Sequence, residues 1–458
     1  MKKLLAILLS AVLLGSTVTG CGSSSSAQSQ APSKSKSSAS STVASGTATS
    51  EAVKISYLSR YANPEYPRDK YFLSRLDEFK KENPNITIED LSTADGDAYT
   101  TKIKSSVAAG SPPDMFICSD VFPRYDWAKN NIIQDLSPLI NSSEWTGPKN
   151  DDLFGGYTFK DKGLKGIYGV PNNTATFQMF VNTKLLKDNG FDVPKTWEDV
   201  LAMSDALNAK GITPVGLAAK TKDEVGNFFS DLAMKMYGTQ LRDDLISGKA
   251  KWNGDEMMSV LNKMKGFIDK GVFGRDAISY DYNDAINNFS QKKVAIHYTA
   301  SFHFDRFQEM PFSNDITVIN MPYFKDKPEN KDIWHADIFE GFCITSKPGT
   351  KEYNAACKLM TFMLSKETFN GFAKTMGGGA YPVETDFDVD KATHVMHTFM
   401  LQYATKKQTT SNMISYLNSS NIVDLTNTNL QTLFVGNNPK QIAGTLEPEF
   451  AKIYSAAK

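Results

Sequence analysis

Four short segments concentrate side chains that could pair with hydroxyl groups and cover apolar ring faces. They are Ser59-Arg60-Tyr61-Ala62-Asn63, Ser119-Asp120, Asn172-Asn173-Thr174 and Thr299-Ala300-Ser301-Phe302-His303. Asp, Asn and Arg carry acceptors and donors in planar geometry, while Tyr and Phe offer flat apolar area. A polyhydroxylated ring such as a sugar needs both kinds. Buried polar groups that lose a partner reject wrong ligands strongly, so amides and carboxylates would supply selectivity between epimers. Each segment follows a strand-like run, and open α/β sheets bind ligands beyond the carboxyl ends of their strands. Asp337 and Glu340, just before Gly341-Phe342, are further candidates, as is Tyr381 after Gly377-Gly378-Gly379. Some of these residues have an equally good plain reading. Arg60 suits a pair with Asp69 or another surface acid, and Asn172 and Asn173 suit a turn. Asp97 reads as a helix N-cap. Three consecutive glycines exceed what a helix stop needs, which implies close approach of another group.

Other chemistries have weaker support. The chain has no Gly-x-Ser-x-Gly elbow, no His-Glu-x-x-His and no Gly-x-x-x-x-Gly-Lys run. A glycoside-degrading enzyme would need two carboxylates across the scissile bond, and among 51 acidic residues chance pairs carry no signal. His394 and His397 lie at i, i+3, but Val395, Met396 and Phe399 around them describe an ordinary amphipathic helix, with no third metal ligand nearby in sequence. No metal and no cofactor are expected. Apart from Cys21, three cysteines remain, Cys118, Cys343 and Cys357, with no Cys-x-x-Cys spacing. They read as buried free thiols, although a Cys343–Cys357 bridge is compatible with an exported chain.

The elements that must position these loops alternate strand and helix. Val53–Leu58, Ile86–Leu91 and Met115–Cys118 read as strands. Between them lie helices over Tyr71–Lys81, with Phe72, Leu76 and Phe79 on one face, and over Asp97–Ala109. Thr196 reads as the N-cap of a helix carrying Trp197, Val200, Met203 and Leu207, ended by Gly211. Strands follow at Ile212–Leu217, Val294–Tyr298 and Ile316–Met321, and helices at Phe228–Tyr237 and Asp255–Lys270. The last third is helical from Tyr353 to Lys374 and again from Asp390, and Pro448 would break the final helix or begin a new one. This order predicts an α/β fold with mostly parallel sheets flanked by helices. A body of about 400 residues is too long for one core, so two lobes are expected.

The N-terminus concerns location. Lys2-Lys3, the apolar run Leu4–Leu14 and Val18-Thr19-Gly20-Cys21 have the order of a secretory signal. The apolar run is too short to span a bilayer, which takes about 20 residues. The last four residues resemble the lipobox of bacterial lipoproteins, in which the cysteine becomes the lipidated first residue; that pattern usually has Leu where Val18 stands. Residues 22–50 are rich in Ser, Ala, Thr and Gly and lack aromatics, a composition that stays disordered. As a flexible coil such a tether spans on the order of 30 Å. The whole chain has a formal charge of −1, and losing Lys2 and Lys3 leaves 48 basic against 51 acidic residues, or −3. Without a basic stripe, nucleic-acid binding is not expected.

Several segments, in order, resemble the extracellular solute-binding proteins of ABC importers, in the carbohydrate-binding branch (family 1). They are Lys54-Ile55-Ser56-Tyr57 with Ser59-Arg60-Tyr61, Phe79 to Ile86, Ala108-Ala109-Gly110-Ser111-Pro112-Pro113-Asp114, Tyr168-Gly169-Val170-Pro171 through Asn182-Thr183-Lys184, Pro194-Lys195-Thr196-Trp197, and Asn288-Phe289 to Ala295-Ile296. The resemblance covers essentially the whole body; one departure is Phe302, where the family usually has Trp. It implies two lobes joined by hinge crossovers, residues 52–171 with 342–388 and residues 175–337 with 390–458, which follow a signal peptide (1–20) and a lipidated tether (21–50). It implies that a sugar, with several aromatics leaning toward an oligosaccharide, binds between the lobes and is passed to a two-subunit permease with an ATPase behind it. The ligand-binding residues would be Ser59, Arg60, Tyr61, Asp120, Asn172, Asn173, Thr174, Phe302, His303, Asp337, Glu340 and Tyr381. A monomer anchored through Cys21 on a Gram-positive cell surface is expected, with a Gram-negative periplasm as the alternative location. A uronate is an option if Arg60 faces the cleft. A surface-anchored glycosidase and a binding protein for another solute remain the competing functions.

Overall fold

Eleven strands make two sheets in the computed structural model, which describes residues 51–119, 122–149, 151–338, 340–413 and 420–456. These residues belong to one unit, 50–458. The signal segment, Cys21 and the tether lie outside the described residues, as does Asp120. Among the described residues no helix is long and apolar enough to cross a membrane.

The first sheet contains β1 (Val53–Leu58), β2 (Ile86–Asp90), β3 (Met115–Ser119), β4 (Val170–Pro171) and β10 (Glu340–Ile344), in the order β2-β1-β3-β10-β4. β1 pairs in parallel with both β2 and β3, while β10 runs antiparallel to β3 and β4. β3 and β10 are buried along their whole length, as their near-continuous apolar sequences require of strands covered on both faces. The second sheet contains β5 (Ala175–Asn182), β6 (Thr213–Gly216), β7 (Val294–Ala300), β8 (Ile316–Ile319), β9 (Ile333–Asp337) and β11 (Gln408–Thr410). Its path is β11-β9-β5-β7-β6, with β8 also on β5. β5 is antiparallel to β7, β8 and β9, whereas β6–β7 and β9–β11 are parallel pairs. In each sheet, therefore, a single strand is reversed, β10 in the first and β5 in the second. Each reversed strand is also where the chain enters the sheet from the other one.

Separate cores back the two sheets. One gathers residues from Val53 to Val170, then Ile338, and then Phe342 to Phe372. The helix Pro67–Glu82 buries Phe72, Leu76 and Phe79 there, and it starts four residues before the expected Tyr71 because Pro67 occupies its first turn. The second sheet is packed by Trp197, Phe228, Phe267, Tyr298 and the C-terminal helices on one side. A smaller cluster around Phe180, Phe307, Trp334 and Phe399 forms on the other side. Thr196 caps the helix Trp197–Ala209 in a reciprocal capping box with Asp199.

Some local expectations are corrected. Asp95, not Asp97, caps the helix Gly96–Ala108. The helix-rich stretch expected over Tyr353–Lys374 holds two helices, Lys351–Met363 and Lys366–Met376, divided where Ser365 caps the second. Pro448 neither ends nor begins a helix. It sits inside Pro439–Ala456, whose Ile442, Leu446 and Phe450 are anchored in the core. Cys118, Cys343 and Cys357 are free, so the bridge left open by sequence is not formed. Of the three glycines, the middle one meets the chain's own helix His394–Tyr403: a Cβ on Gly378 would lie 2.6 Å from Met400 Sδ, at a φ of +116°.

Candidate functional site

Glu340, the first residue of β10, stands in register with Ser119 at the carboxyl end of β3, and Gly341 stands opposite Pro171 at the end of β4. The reversal of β10 thus carries Glu340 to the same end of the sheet as the loop after β1. The Tyr61 hydroxyl donates to Glu340 Oε1 at 3.2 Å and accepts from Asn172 Nδ2 at 2.7 Å. The same Oε1 accepts from Asn173 Nδ2 at 2.9 Å and from Asn172 Nδ2 at 3.4 Å. Arg60 approaches Oε2 at 3.7 Å with its side chain half exposed. It is Arg68 that pairs with Asp69, at 3.1 Å. Five of the residues named from sequence thus meet at one carboxylate. Tyr61 is buried against Phe72, with ring centroids 4.3 Å apart. Burial first, then the Glu340 charge, pushes its phenol far up, so it stays neutral.

The crossover from β4 to β5 is Asn172-Asn173-Thr174. Asn172 Oδ1, Asn173 Oδ1 and Thr174 Oγ1 are all buried with no protein partner. Three successive residues therefore keep an unpaired polar atom where such atoms are normally satisfied. Ser59 plays a supporting part: its Oγ lies 3.1 Å from Ser92 Oγ and accepts from the Tyr61 amide at 3.2 Å.

The second sheet supplies the adjoining wall. β5 lies against β7 with Phe177 opposite Ala300, and Ser301 Oγ accepts from the Thr176 amide at 3.1 Å, which seats the 301–303 turn beside the crossover. Phe302 is 50% exposed, an unusual state for a large aromatic inside a folded body, and it meets Tyr282 and His303 edge-on. His303 Nδ1 is 2.9 Å from Thr299 Oγ1. Burial, then Arg306, pulls its pKa down to about 4, so the ring is neutral at ordinary pH. Tyr282 and Glu224 were not singled out from sequence. The Tyr282 hydroxyl donates to Glu224 Oε2 at 3.2 Å, Oε1 is unpartnered, and burial pushes this carboxyl up to about 8. Glu224 was missed because the helix was expected to start only at Phe228, which leaves Lys222-Asp223-Glu224 as a polar segment ahead of it.

Two candidates are engaged elsewhere. Asp337 is 1% exposed, with Oδ1 accepting from the Asn412 amide at 3.0 Å and Oδ2 at 2.9 Å from His335 Nε2. His335 Nδ1 lies 2.5 Å from Asp231 Oδ1 in an ionic contact, and the Tyr298 hydroxyl donates to Asp231 Oδ2 at 2.8 Å. Asp337 is thus part of a buried carboxylate–imidazole–carboxylate array inside the second core. Tyr381 stacks on Phe372 and donates its hydroxyl to Gly378 O.

This arrangement offers unpaired polar atoms and an exposed aromatic face side by side. The Glu340 carboxylate at the crossover already faces two amides, a phenol and a guanidinium. Among the described residues no group of three His, Cys, Asp or Glu could hold a metal ion.

Known proteins share this architecture. The model of the bacterial extracellular solute-binding protein family matches residues 63–368. A binding protein of Brucella abortus is 25% identical over 241 residues, 52% of this chain and 56% of that protein, so the chain matches just over half of this relative's length. YcjN of Escherichia coli, named as an ABC transporter periplasmic-binding protein, is 23% identical over 74% of this chain and 75% of its own. A solved chitin oligosaccharide binding protein superposes with a TM-score of 0.74 at 16% identity, covering 88% of this chain and 99% of that one. The two helix-flanked sheets and the family match over two thirds of the sequence lead to one conclusion: this chain belongs to the bacterial extracellular solute-binding proteins.

Proposed function

We propose that this protein captures a carbohydrate, an oligosaccharide in preference to a single sugar, between its two sheets and delivers it unchanged to an ABC permease driven by an ATPase. The observation that carries this reading is the run of unpaired buried atoms on Asn172, Asn173 and Thr174 beside the half-exposed Phe302. Hydroxyls would satisfy the first, and the apolar face of a sugar ring would cover the second. The name of the chitin oligosaccharide binding protein and the periplasmic-binding name of YcjN support it. Residues 52–171 with 342–388 would form one lobe and residues 175–337 with 390–458 the other, closing by rotation about the crossovers. Arg60 faces a carboxylate of its own chain, which favours a neutral sugar over a uronate. We further propose a monomer held outside the cell by lipid on Cys21, on a Gram-positive surface.

The melting temperature of the chain from Glu51 onward, measured against mono- and oligosaccharides, tests this. A ligand at 100 times its Kd adds about 2.7 kcal/mol, a rise on the order of 2–3 °C for a body this size. One sugar class raising the midpoint, with the sugar recovered intact, is the expected result. No shift with any sugar, or release of shorter sugars, refutes the reading.

A further inference from the structure

We propose that Glu340 is a positioning residue that turns the crossover into a strip of hydrogen-bond acceptors, and so selects ligands bearing adjacent hydroxyl donors, without itself touching the ligand. The inference rests on the sugar-binding reading and specifies what that site demands of the sugar.

An asparagine side chain has one acceptor edge and one donor edge, and free rotation would present either. Here rotation is fixed. Asn173 Nδ2 donates to Glu340 Oε1 at 2.9 Å, and Asn172 Nδ2 donates both to that oxygen and to the Tyr61 hydroxyl. A carboxylate only accepts. The Tyr61 oxygen has given its own proton to Glu340, so toward Asn172 it too can only accept. Flipping either amide would set carbonyl oxygen against carboxylate oxygen at hydrogen-bond distance. Both Oδ1 atoms must therefore point away from Glu340, and both are buried and unpaired, as is Thr174 Oγ1 on the next residue. The charge of Glu340 is balanced from behind by Arg60, 3.7 Å from Oε2. What faces the ligand is two carbonyl oxygens, which only accept, and one hydroxyl, which can accept or donate. At the two carbonyl oxygens a ligand hydroxyl must donate, and a deoxy carbon, an ether oxygen or a carboxylate cannot.

The test uses the full chain, selectively labelled with 15N-asparagine, with the Asn172 and Asn173 side-chain resonances assigned by single substitution. In the ligand-free protein both amides should show slowed proton exchange, lost in Glu340→Ala and largely retained in Glu340→Gln, which keeps an acceptor oxygen. Unchanged exchange in Glu340→Ala overturns the positioning role. The sugar giving the largest melting shift is then compared with its monodeoxy and mono-O-methyl analogues. In the wild type at least one such analogue should bind 10-fold or more weakly. In Glu340→Ala that penalty should fall below about 3-fold, with Glu340→Gln restoring it. Equal losses for parent and analogue in Glu340→Ala would mean a merely structural carboxylate and overturn the proposal. Should Glu340→Ala not fold, the wild type and Glu340→Gln decide it, since a wild type indifferent to deoxygenation at every position refutes the acceptor strip. Intact amide protection with no sugar bound would support the role of Glu340 and sink the sugar reading instead.

Discussion

Replacing His335 with Gln should destabilise the protein in a pH-dependent way whose sign follows from the buried array. His335 lies between Asp231 and Asp337, and all three are 2% exposed or less. Burial alone would lower the imidazole pKa, but the two carboxylates outweigh it and raise it to about 10. The ring is therefore charged in the folded state at neutral pH. A folded pKa above the unfolded value of ~6.5 contributes stability that is complete below pH 6.5 and lost as pH rises toward 10. In His335→Gln the two carboxylates keep the Tyr298 hydroxyl and the Asn412 amide but lose the cation between them. Lys235, the other buried cation nearby, cannot replace it: burial lowers its pKa to about 7, and it donates to the carbonyls of Asn330, Lys331 and Ile333. Removing one partner of a buried ionic group costs about 3–5 kcal/mol. For some 400 residues at ~2.1 cal/mol/K each, this is a fall of roughly 4–6 °C in Tm. The His335 contribution is complete at pH 6.5 and below and declines above it, so the penalty of the variant relative to wild type should be as large at pH 5 as at pH 6.5 and smaller at pH 7.5. Thermal unfolding of both proteins at pH 5, 6.5 and 7.5 measures this. A penalty under ~1 kcal/mol at pH 6.5, or one that grows as pH rises from 6.5 to 7.5, would refute a charged His335.

Other outcomes follow from single contacts. Asn173→Ala should weaken sugar binding by roughly 10-fold or more, the cost of one lost hydrogen bond and a rearranged carboxylate, as read by calorimetry on the best sugar of the panel. Phe302→Ala should also weaken binding about 10-fold, from lost ring stacking. It should shift Tm by less than ~1 °C, because the side chain is half exposed. Gly378→Ala should lower stability by about 1–3 kcal/mol in chemical denaturation, since its Cβ would crowd Met400 and Met396 at a positive φ.

Part of the cluster around Glu340 was legible because strand ends limit where loop residues can sit. Tyr61 and Asn172 stood out by type and place, and neither had a periodic role in a core. Their convergence on Glu340 was not legible: Tyr61 and Glu340 are 279 positions apart, and only the register of the reversed strand brings them together. The protein partners of Asp337 had a local clue in the sequence. His335 and Asp337 share one face of a strand at i, i+2, and a carboxylate beside an imidazole on a buried face is most simply its partner. The helix that begins at Lys222 was expected to start at Phe228 because its first turn is polar, so the burial of Glu224 could not be seen. For Pro448, tertiary packing of the flanking apolar residues overrode a strong local breaker.

The two reversed strands also bear on how a ligand could be felt across the molecule. Chain leaves the first sheet through Asn172–Thr174 and returns to it at Glu340, and both connections begin and end at the edge where the carboxylate sits. In any rotation of one body against the other, displacement grows with distance from the pivot. Phe302 would travel with the second sheet, whereas Glu340 would stay with the first. The molecule would therefore carry two kinds of recognition at once. A polar template fixed to the first sheet would read the proposed sugar in the open and closed states alike, and an aromatic carried by the second would touch it fully only at the end of the swing. Selectivity would then be decided before closure, and closure itself would report only that a sugar of the right pattern is already in place.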